Sequence, residues 1–174
     1  LTFPYHSFDS LTDLLREAAI DPDVKSIKIT FYRLAPRSKI INALTNAVRN
    51  GKAVTAVIEL RARFDEEANL EWKEELEDAG VKVLIGVPDL KVHAKICLIK
   101  KIVKGRTVHY GFVGTCNLNE QTAKIYGDHC LLTSDRFIMA DLNRIFHYLE
   151  QPKTRIGFLK ACKTLMVSPV GLRK

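Results

Sequence analysis

Three short apolar stretches that alternate with helical patterns constrain the fold more than any other feature of this 174-residue chain. Each stretch is rich in β-branched residues and reads as a strand, and together they cover residues 24–32, 53–60 and 81–85. A helix with Leu11, Leu15 and Ala18 on one side precedes the first strand, and amphipathic helices are expected at 38–50 and 65–79. This alternation predicts an α/β domain that contains parallel strands.

The pattern changes after residue 88. A strand at 91–99, a turn and a second strand at 107–113 predict a hairpin, so the sheet becomes mixed. A last strand is expected at 125–132, followed by a long helix capped by Ser134 or Asp135. We therefore predict a mixed, mostly parallel sheet flanked by helices on both faces, in a domain spanning 1–150. Residues 151–174 are expected to be an extension or the start of a linker to a further domain.

The charge balance favours anionic partners. Lys and Arg number 27 against 20 for Asp and Glu, a net charge of +7. Such an excess suits phosphates, nucleic acid or an anionic membrane surface, although an ordinary basic surface explains it equally well. The sequence contains no apolar run of about 18 residues that would span a membrane. Because the chain starts at Leu1 without a signal peptide or an initiating Met, we expect a piece of a longer protein.

The four cysteines do not form a recognisable metal or disulfide pattern. They stand at positions 97, 116, 130 and 162, with no CxxC spacing. We interpret them as reduced, mostly buried thiols of a cytosolic protein.

The most unusual local feature is a histidine between lysines, in the segment Lys91-Val92-His93-Ala94-Lys95. Alternation along a strand predicts that His93 and Lys95 lie on the same face. Cations crowd together where an anion is expected, and an imidazole can attack a phosphate whose oxygens are held by fixed positive charge. His93 is therefore the candidate nucleophile, with Lys95 beside it.

Other polar residues follow predicted strands. Arg33 and Arg63 each come just past a parallel strand, on the edge where α/β proteins bind ligands, so they form either an anion clamp or two ordinary surface arginines. The small, polar loop 114–119 either cradles an anion with its backbone amides or is a plain turn. Tyr126 either stacks on a base or donates to a phosphate, or it belongs to the core. The loop 114–119 is not a P-loop, because the sequence contains no GxxxxGK[ST]. No GxGxxG motif follows the first strand, which argues against a dinucleotide enzyme.

Taken together, these segments resemble a known family. His93-Ala94-Lys95 followed by the loop 114–117 is similar to the half-motif of the phospholipase D superfamily. More specifically, five blocks resemble the first of two phospholipase-D-like domains of bacterial polyphosphate kinase, a match that covers nearly the whole chain. The blocks are residues 4–8, 29–33, 59–69, 90–95 and 122–128.

This resemblance implies a fold, an activity and a set of site residues. The family transfers the γ-phosphate of ATP reversibly to inorganic polyphosphate through a phosphohistidine, which corresponds to His93 here. It implies that Tyr126 contacts ATP and that Arg33 and Arg63 belong to the Mg²⁺ and phosphate site. Because arginine has no lone pair for a cation, we expect both to bind phosphates that in turn hold Mg²⁺. Lys95 and Asn117 are expected around the same phosphate.

The implied partners are ATP or ADP, polyphosphate, and a second phospholipase-D-like domain of the same protein that supplies another catalytic histidine. A homo-oligomer remains open, nucleic acid is not expected as a partner, and the expected location is cytoplasmic, with peripheral attachment to a membrane as an option. One departure is Cys116, where the family usually has a glycine. Another is the missing aspartate four residues beyond Lys95, which weakens a lipase or nuclease interpretation.

Two alternatives stay open at this point. The chain could be a phospholipase-D-like nuclease or phosphodiesterase that dimerises so that two copies of the His93 motif meet. It could also be a non-catalytic module that binds polyanions.

Overall fold

The computed structural model describes residues 1–32, 38–59, 66–88 and 90–171. The strands are β1 (Thr2–Phe3), β2 (Val24–Phe31), β3 (Ala53–Ile58), β4 (Lys82–Ile85), β5 (Lys95–Val103), β6 (Arg106–Gly114) and β7 (Asp128–Thr133). The helices are α1 (Asp9–Ile20), α2 (Lys39–Arg49), α3 (Glu66–Asp78), α4 (Arg136–Glu150) and α5 (Ile156–Lys160), with a 3₁₀ helix at Thr122–Lys124.

The strands form one sheet in the order β1-β7-β6-β5-β2-β3-β4. The pairs β2–β3 and β3–β4 are parallel, and the pairs of β5 with β2 and β6, and of β7 with β6 and β1, are antiparallel. The predicted mixed sheet is confirmed. Among the described strands five of seven run in one direction, but only two of six neighbouring pairs are parallel, because β5 and β7 run the opposite way. "Mostly parallel" therefore describes strand direction and not strand pairing.

Helices cover both faces of the sheet, as predicted. One apolar cluster joins α1, α2 and α3 to the side chains of Ile27, Ile29 and Phe31 of β2. The other joins α4 and α5 to Val57 of β3 and Leu98 of β5. Since the central strands are covered on both sides, β3 is apolar at nearly every position rather than at every second one.

Side-chain caps fix two helix starts that the sequence indicates. The Ser38 hydroxyl accepts a hydrogen bond from the N–H of Ile40, at the start of α2. The Asp135 carboxylate accepts from the N–H groups of Phe137 and Ile138, both at 2.9 Å, at the start of α4. Each cap satisfies backbone donors that have no partner within the helix itself.

The β5–β6 hairpin closes with two residues of positive φ, Lys104 at 49° and Gly105 at 76°. This conformation belongs to a type I′ turn, whose twist matches that of the flanking strands. Both strands of the hairpin therefore extend further towards the turn than the sequence predicted. Two predicted strand starts were wrong: β5 begins at Lys95 rather than 91, and β7 at Asp128 rather than 125.

The C-terminal segment packs against α4 through a buried carboxylate. Asp141 Oδ2 accepts hydrogen bonds from the N–H groups of Lys163, Thr164 and Leu165 at 3.0, 2.7 and 2.9 Å. Leu159 of α5 is also buried in the α4 cluster. Residues 151–171 are therefore anchored to the sheet domain, and a domain boundary at 150 stays a prediction.

The cysteines are free thiols in the structure. Cys97, Cys116 and Cys130 are buried and Cys162 is half-buried, which confirms their predicted character. Burial raises the pKa of the Cys97 thiol, so it stays protonated and unreactive. Across the described part of the chain, no helix has both the length and the apolar character needed to cross a bilayer.

Candidate active site

Strand direction brings the His93 segment and the loop after β6 to one edge of the sheet. Because β5 is antiparallel to β2, its first residues lie beside the carboxyl end of β2, with Cys97 opposite Ile29. On the other side of β5, Lys95 pairs with Gly114, the last residue of β6. The segment carrying His93 and the loop after Gly114 therefore meet where β2 and β3 also end, the usual ligand edge of an α/β sheet.

Residues 91–94 form an irregular segment before β5, and side chains satisfy its backbone. The Thr30 hydroxyl donates to the carbonyl of Ala94 at 2.6 Å and accepts from the N–H of Ile96 at 3.1 Å. Thr30 is fully buried at the end of β2, so the start of β5 is attached to β2 through a side chain as well as through the sheet.

Two further side chains hold the peptide groups next to His93. The Glu59 carboxylate accepts a hydrogen bond from the N–H of Val92 at 2.7 Å. The Lys95 ammonium donates to the carbonyl of His93 itself at 2.8 Å. The backbone around His93 is therefore tied to β3 on one side and to β5 on the other.

The ring of Tyr32 lies at the centre of a cationic cluster formed by His93, Lys91 and Lys95. The His93 imidazole meets it nearly edge-on, with ring centroids 4.6 Å apart at 79°. The ammonium groups of Lys91 and Lys95 lie 5.2 and 4.9 Å from the ring centroid. An aromatic ring attracts cations at this distance, so Tyr32 gathers three positive or ionisable groups around one platform.

His93 and Lys95 come together, but not as predicted. They do not share a strand face, because His93 precedes β5; its side chain is exposed whereas Lys95 is only 4% exposed. The exposed imidazole is accessible to a substrate. The Lys95 charge lies beneath it, directed at the His93 carbonyl and the Tyr32 ring.

The loop after β6 presents a buried amide. Cys116 and Leu118 are buried in the core and anchor the loop, and the Thr115 hydroxyl donates to Asp128 at 2.6 Å. Between these anchors, the Asn117 Oδ1 atom is buried and finds no hydrogen-bond partner in the ranges that the structure describes. An unsatisfied buried polar group costs about 1–3 kcal/mol, so this amide is suited to a polar ligand.

Of the remaining predicted site residues, Tyr126 is among the described residues, whereas Arg33 and Arg63 are not. Tyr126 lies between the 3₁₀ helix and β7 and is 62% exposed, so its alternative as a core residue is wrong. Arg33 and Arg63 lie outside the described residues. Within the described ranges, no three His, Cys, Asp or Glu side chains are close enough to hold a metal ion. These residues therefore do not fit a protein-ligated Mg²⁺.

Sequence reasoning missed Tyr32, Glu59 and Thr30. Glu59 carried a usable signal, since it is the single acid at the end of an otherwise apolar strand. Tyr32 directly precedes Arg33, at the edge where the site was expected. Nothing in the local pattern distinguishes Thr30 from any other strand threonine.

The fold is that of a phospholipase-D-like domain. The structure is similar to the crystal structure of Nuc, a phospholipase D family member from Salmonella typhimurium, with a TM-score of 0.59 at 15% identity, over 82% of this chain and 86% of that one. At this identity the likeness concerns the fold alone.

A narrower family follows from the sequence. Residues 1–155 match the family described as polyphosphate kinase C-terminal domain 1, and the chain belongs to this family. It is 49% identical to the polyphosphate kinase of Vibrio vulnificus strain YJ016 over 99% of its length, and 46% identical to that of Escherichia coli K12 over its whole length. The crystal structure of polyphosphate kinase from Porphyromonas gingivalis superimposes with a TM-score of 0.75 at 42% identity, over 86% of this chain and 25% of that one. The chain spans about a quarter of these curated relatives, 24% and 25%.

Proposed function

We propose that this chain is the nucleophile-bearing domain of a polyphosphate kinase and that His93 carries the phosphoryl group between ATP and polyphosphate. A ring nitrogen of neutral His93 attacks the γ-phosphorus, an N–P bond forms, and the bond from that phosphorus to the bridging oxygen breaks as ADP leaves. A terminal oxygen of polyphosphate then attacks the same phosphorus and releases the histidine. The reverse sequence makes ATP.

The observation that carries this proposal is that the His93 imidazole is exposed while hydrogen bonds hold the backbone beside it. The buried Lys95 ammonium supplies positive charge next to it. Phosphoryl transfer needs little covalent help from the protein beyond a positioned nucleophile and stabilised oxygen charge. Lys91 and Lys95, both near the Tyr32 ring, supply charge on the side of the nucleophile. Family membership supports the same assignment.

The other predicted residues receive roles in binding. Arg33 and Arg63 bind phosphate oxygens, and Mg²⁺ enters with the nucleotide as part of the substrate. Asn117 donates from its amide N–H groups to phosphate oxygens; its amide oxygen, which has no partner in the described ranges, can only accept and so does not bind them. Tyr126, exposed on the loop before β7, contacts ATP.

The complete enzyme requires more than this chain. A second phospholipase-D-like domain of the same polypeptide supplies a second histidine. The expected location is the cytoplasm.

The test is phosphohistidine formation in the full polypeptide in which this chain occurs. Incubation with Mg²⁺ and γ-labelled ATP should give an acid-labile label that is stable to base, and His93→Ala should abolish it. The matched control is His109→Ala, which removes a histidine from β6 far along the hairpin, and this variant should label normally.

Contrary results separate the alternatives. Label that survives His93→Ala rules out this nucleophile. Cleavage of DNA by a two-fold symmetric dimer, without labelling, favours the nuclease interpretation. Polyphosphate binding that is unaffected by His93→Ala, without any turnover, favours a non-catalytic polyanion-binding module.

A further inference from the structure

We propose that Glu59 is the positioning residue that holds His93 for attack, acting through the peptide N–H of Val92. This inference rests on the proposed role of His93 as nucleophile. Glu59 would not touch the substrate. Its role would be to fix the backbone position from which the His93 imidazole projects.

The burial of Glu59 needs an explanation. Its side chain lies just past β3 and is 1% exposed, although a buried carboxylate loses strong interactions with water. The Val92 N–H donates to it at 2.7 Å, a charge-assisted hydrogen bond. Gly86 lies beside the carboxylate, where a Cβ atom would be 3.6 Å from Oε2, an ordinary van der Waals distance. The carboxylate therefore lies at the ends of β3 and β4 and binds the backbone of the His93 segment.

Glu59 is itself held firmly. Its backbone N–H donates to the carbonyl of Phe31 at 3.1 Å, which continues the β2–β3 pairing beyond the strand ends. A carboxylate on such a residue transmits the position of the parallel sheet to the peptide before His93. Since residues 91–94 form no regular strand, the sheet ladder cannot do this.

The backbone is thus restrained on both sides of His93. Glu59 holds the Val92 N–H, and Lys95 holds the His93 carbonyl at 2.8 Å. Val92 is buried, whereas the His93 side chain projects outwards and is exposed. This arrangement restricts the backbone and leaves the imidazole accessible. Small displacements of a reacting group cost large factors in rate, so the restraint serves catalysis.

The experiment compares two near-isosteric substitutions in the full polypeptide. Glu59→Gln keeps an acceptor oxygen for Val92, whereas Glu59→Met keeps the side-chain length and lacks the acceptor. Single-turnover labelling of His93 at saturating ATP should be slowed about 100-fold in Glu59→Met, the size of effect expected for a displaced reacting group. In Glu59→Gln the rate should stay within about tenfold of the unmodified protein, and KM for ATP should change little in either variant.

Amide exchange gives a readout that does not depend on activity. The Val92 N–H should exchange faster in Glu59→Met than in the unmodified protein, and at nearly its original rate in Glu59→Gln. If the unmodified protein takes no label, the proposed function fails, and the Val92 exchange on the same samples still decides whether Glu59 holds the segment.

A stability control excludes a general effect of losing a carboxylate. Glu150→Ala removes the partner of Lys28, 2.6 Å away, from the end of α4. It should lower the melting temperature while His93 labels at its normal rate below that temperature. Equal labelling in Glu59→Met and the unmodified protein, unchanged Val92 exchange, or equal slowing by Glu150→Ala would overturn the proposal.

Discussion

The hydroxyl of Thr30 donates a 2.6 Å hydrogen bond to the carbonyl oxygen of Ala94, the residue after the candidate nucleophile. The same hydroxyl accepts from the N–H of Ile96 at 3.1 Å. One side chain of β2 therefore satisfies two backbone groups at the point where an irregular segment enters β5.

Replacing Thr30 with valine should destabilise this chain by about 1–3 kcal/mol, because two buried backbone groups lose their partner while the side-chain volume is kept. Urea denaturation measures the loss, and faster exchange of the Ile96 amide locates it. Thr12→Val is the matched control. The Thr12 hydroxyl is fully buried and finds no partner in the part of the chain that the structure describes, so its removal should be neutral or stabilising. A Thr30→Val variant as stable as Thr12→Val would contradict this interpretation.

Gly111→Ala should be among the most damaging single substitutions in the sheet. A Cβ atom at this position would lie 2.0 Å from the backbone carbonyl oxygen of Cys97 on the neighbouring strand. Backbone must move to relieve the clash, and we expect a loss of roughly 3 kcal/mol or more, at the upper end of what overpacking costs. Gly157→Ala in α5 is the control, because nothing lies within 4 Å of its added methyl group. The melting temperatures of the two variants, measured by thermal denaturation, should differ by many degrees.

Asp141 should make the anchoring of the C-terminal segment sensitive to acid. Burial by itself raises the pKa of this carboxyl, but hydrogen bonds from the N–H groups of Leu165, Thr164 and Lys163 and from Arg144 outweigh it and hold the pKa below the ordinary value of 3.8. A depressed pKa means that the stabilisation is complete above 3.8 and is lost as the pH falls through the lower folded-state pKa.

Asp141→Asn should therefore cost on the order of 2 kcal/mol at neutral pH, the value of hydrogen bonds to a charged group. The difference in the free energy of unfolding from the unmodified chain should shrink as the pH is lowered below 3.8. Asp13→Asn serves as the comparison, since its ion pair with Arg16 is more than half exposed and contributes little. A difference for Asp141→Asn that does not vary with pH would show that the charge is not responsible.

Tyr126→Ala tests the proposed contact with ATP separately from folding. With 62% of its surface exposed, Tyr126 contributes little to the core, so the melting temperature should hold. KM for ATP should rise about tenfold, the loss of roughly 1.4 kcal/mol of binding. Tyr5→Ala, at an even more exposed tyrosine, is the control for removing a surface ring. An unchanged KM would remove Tyr126 from the site.

The elements of this fold were largely predictable, because they follow from local patterns. Apolar runs gave the parallel strands, and Ser38 and Asp135 marked the helix starts where the structure has them. The ligand edge of the sheet followed from the direction of the parallel strands that precede Arg33 and Arg63, and the neighbouring lysines separately singled out His93. These signals are all contained within short windows of the sequence.

The conformation of the His93 segment was not predictable in this way. Alternating residues suggested a strand from 91, but the hydrogen bonds that hold the segment come from Thr30, 64 residues before Ala94, and from Glu59, 33 residues before Val92. Such side-chain contacts depend on which strands become neighbours, and no local period encodes them. The same reason explains why Tyr32 was overlooked: its contacts exist only after β2 and β5 pair.

Residues 91–94 are held by side chains and not by strand pairing. Changes in those side chains and changes in the strands therefore have separate effects. Substitutions at Thr30, Glu59 or Lys95 are expected to shift the candidate nucleophile His93 while the pairing of the strands stays intact. This anchoring leaves the pairing of the strands independent of the three side chains. It is consistent with a shared architecture between this chain and a protein to which it is only 15% identical.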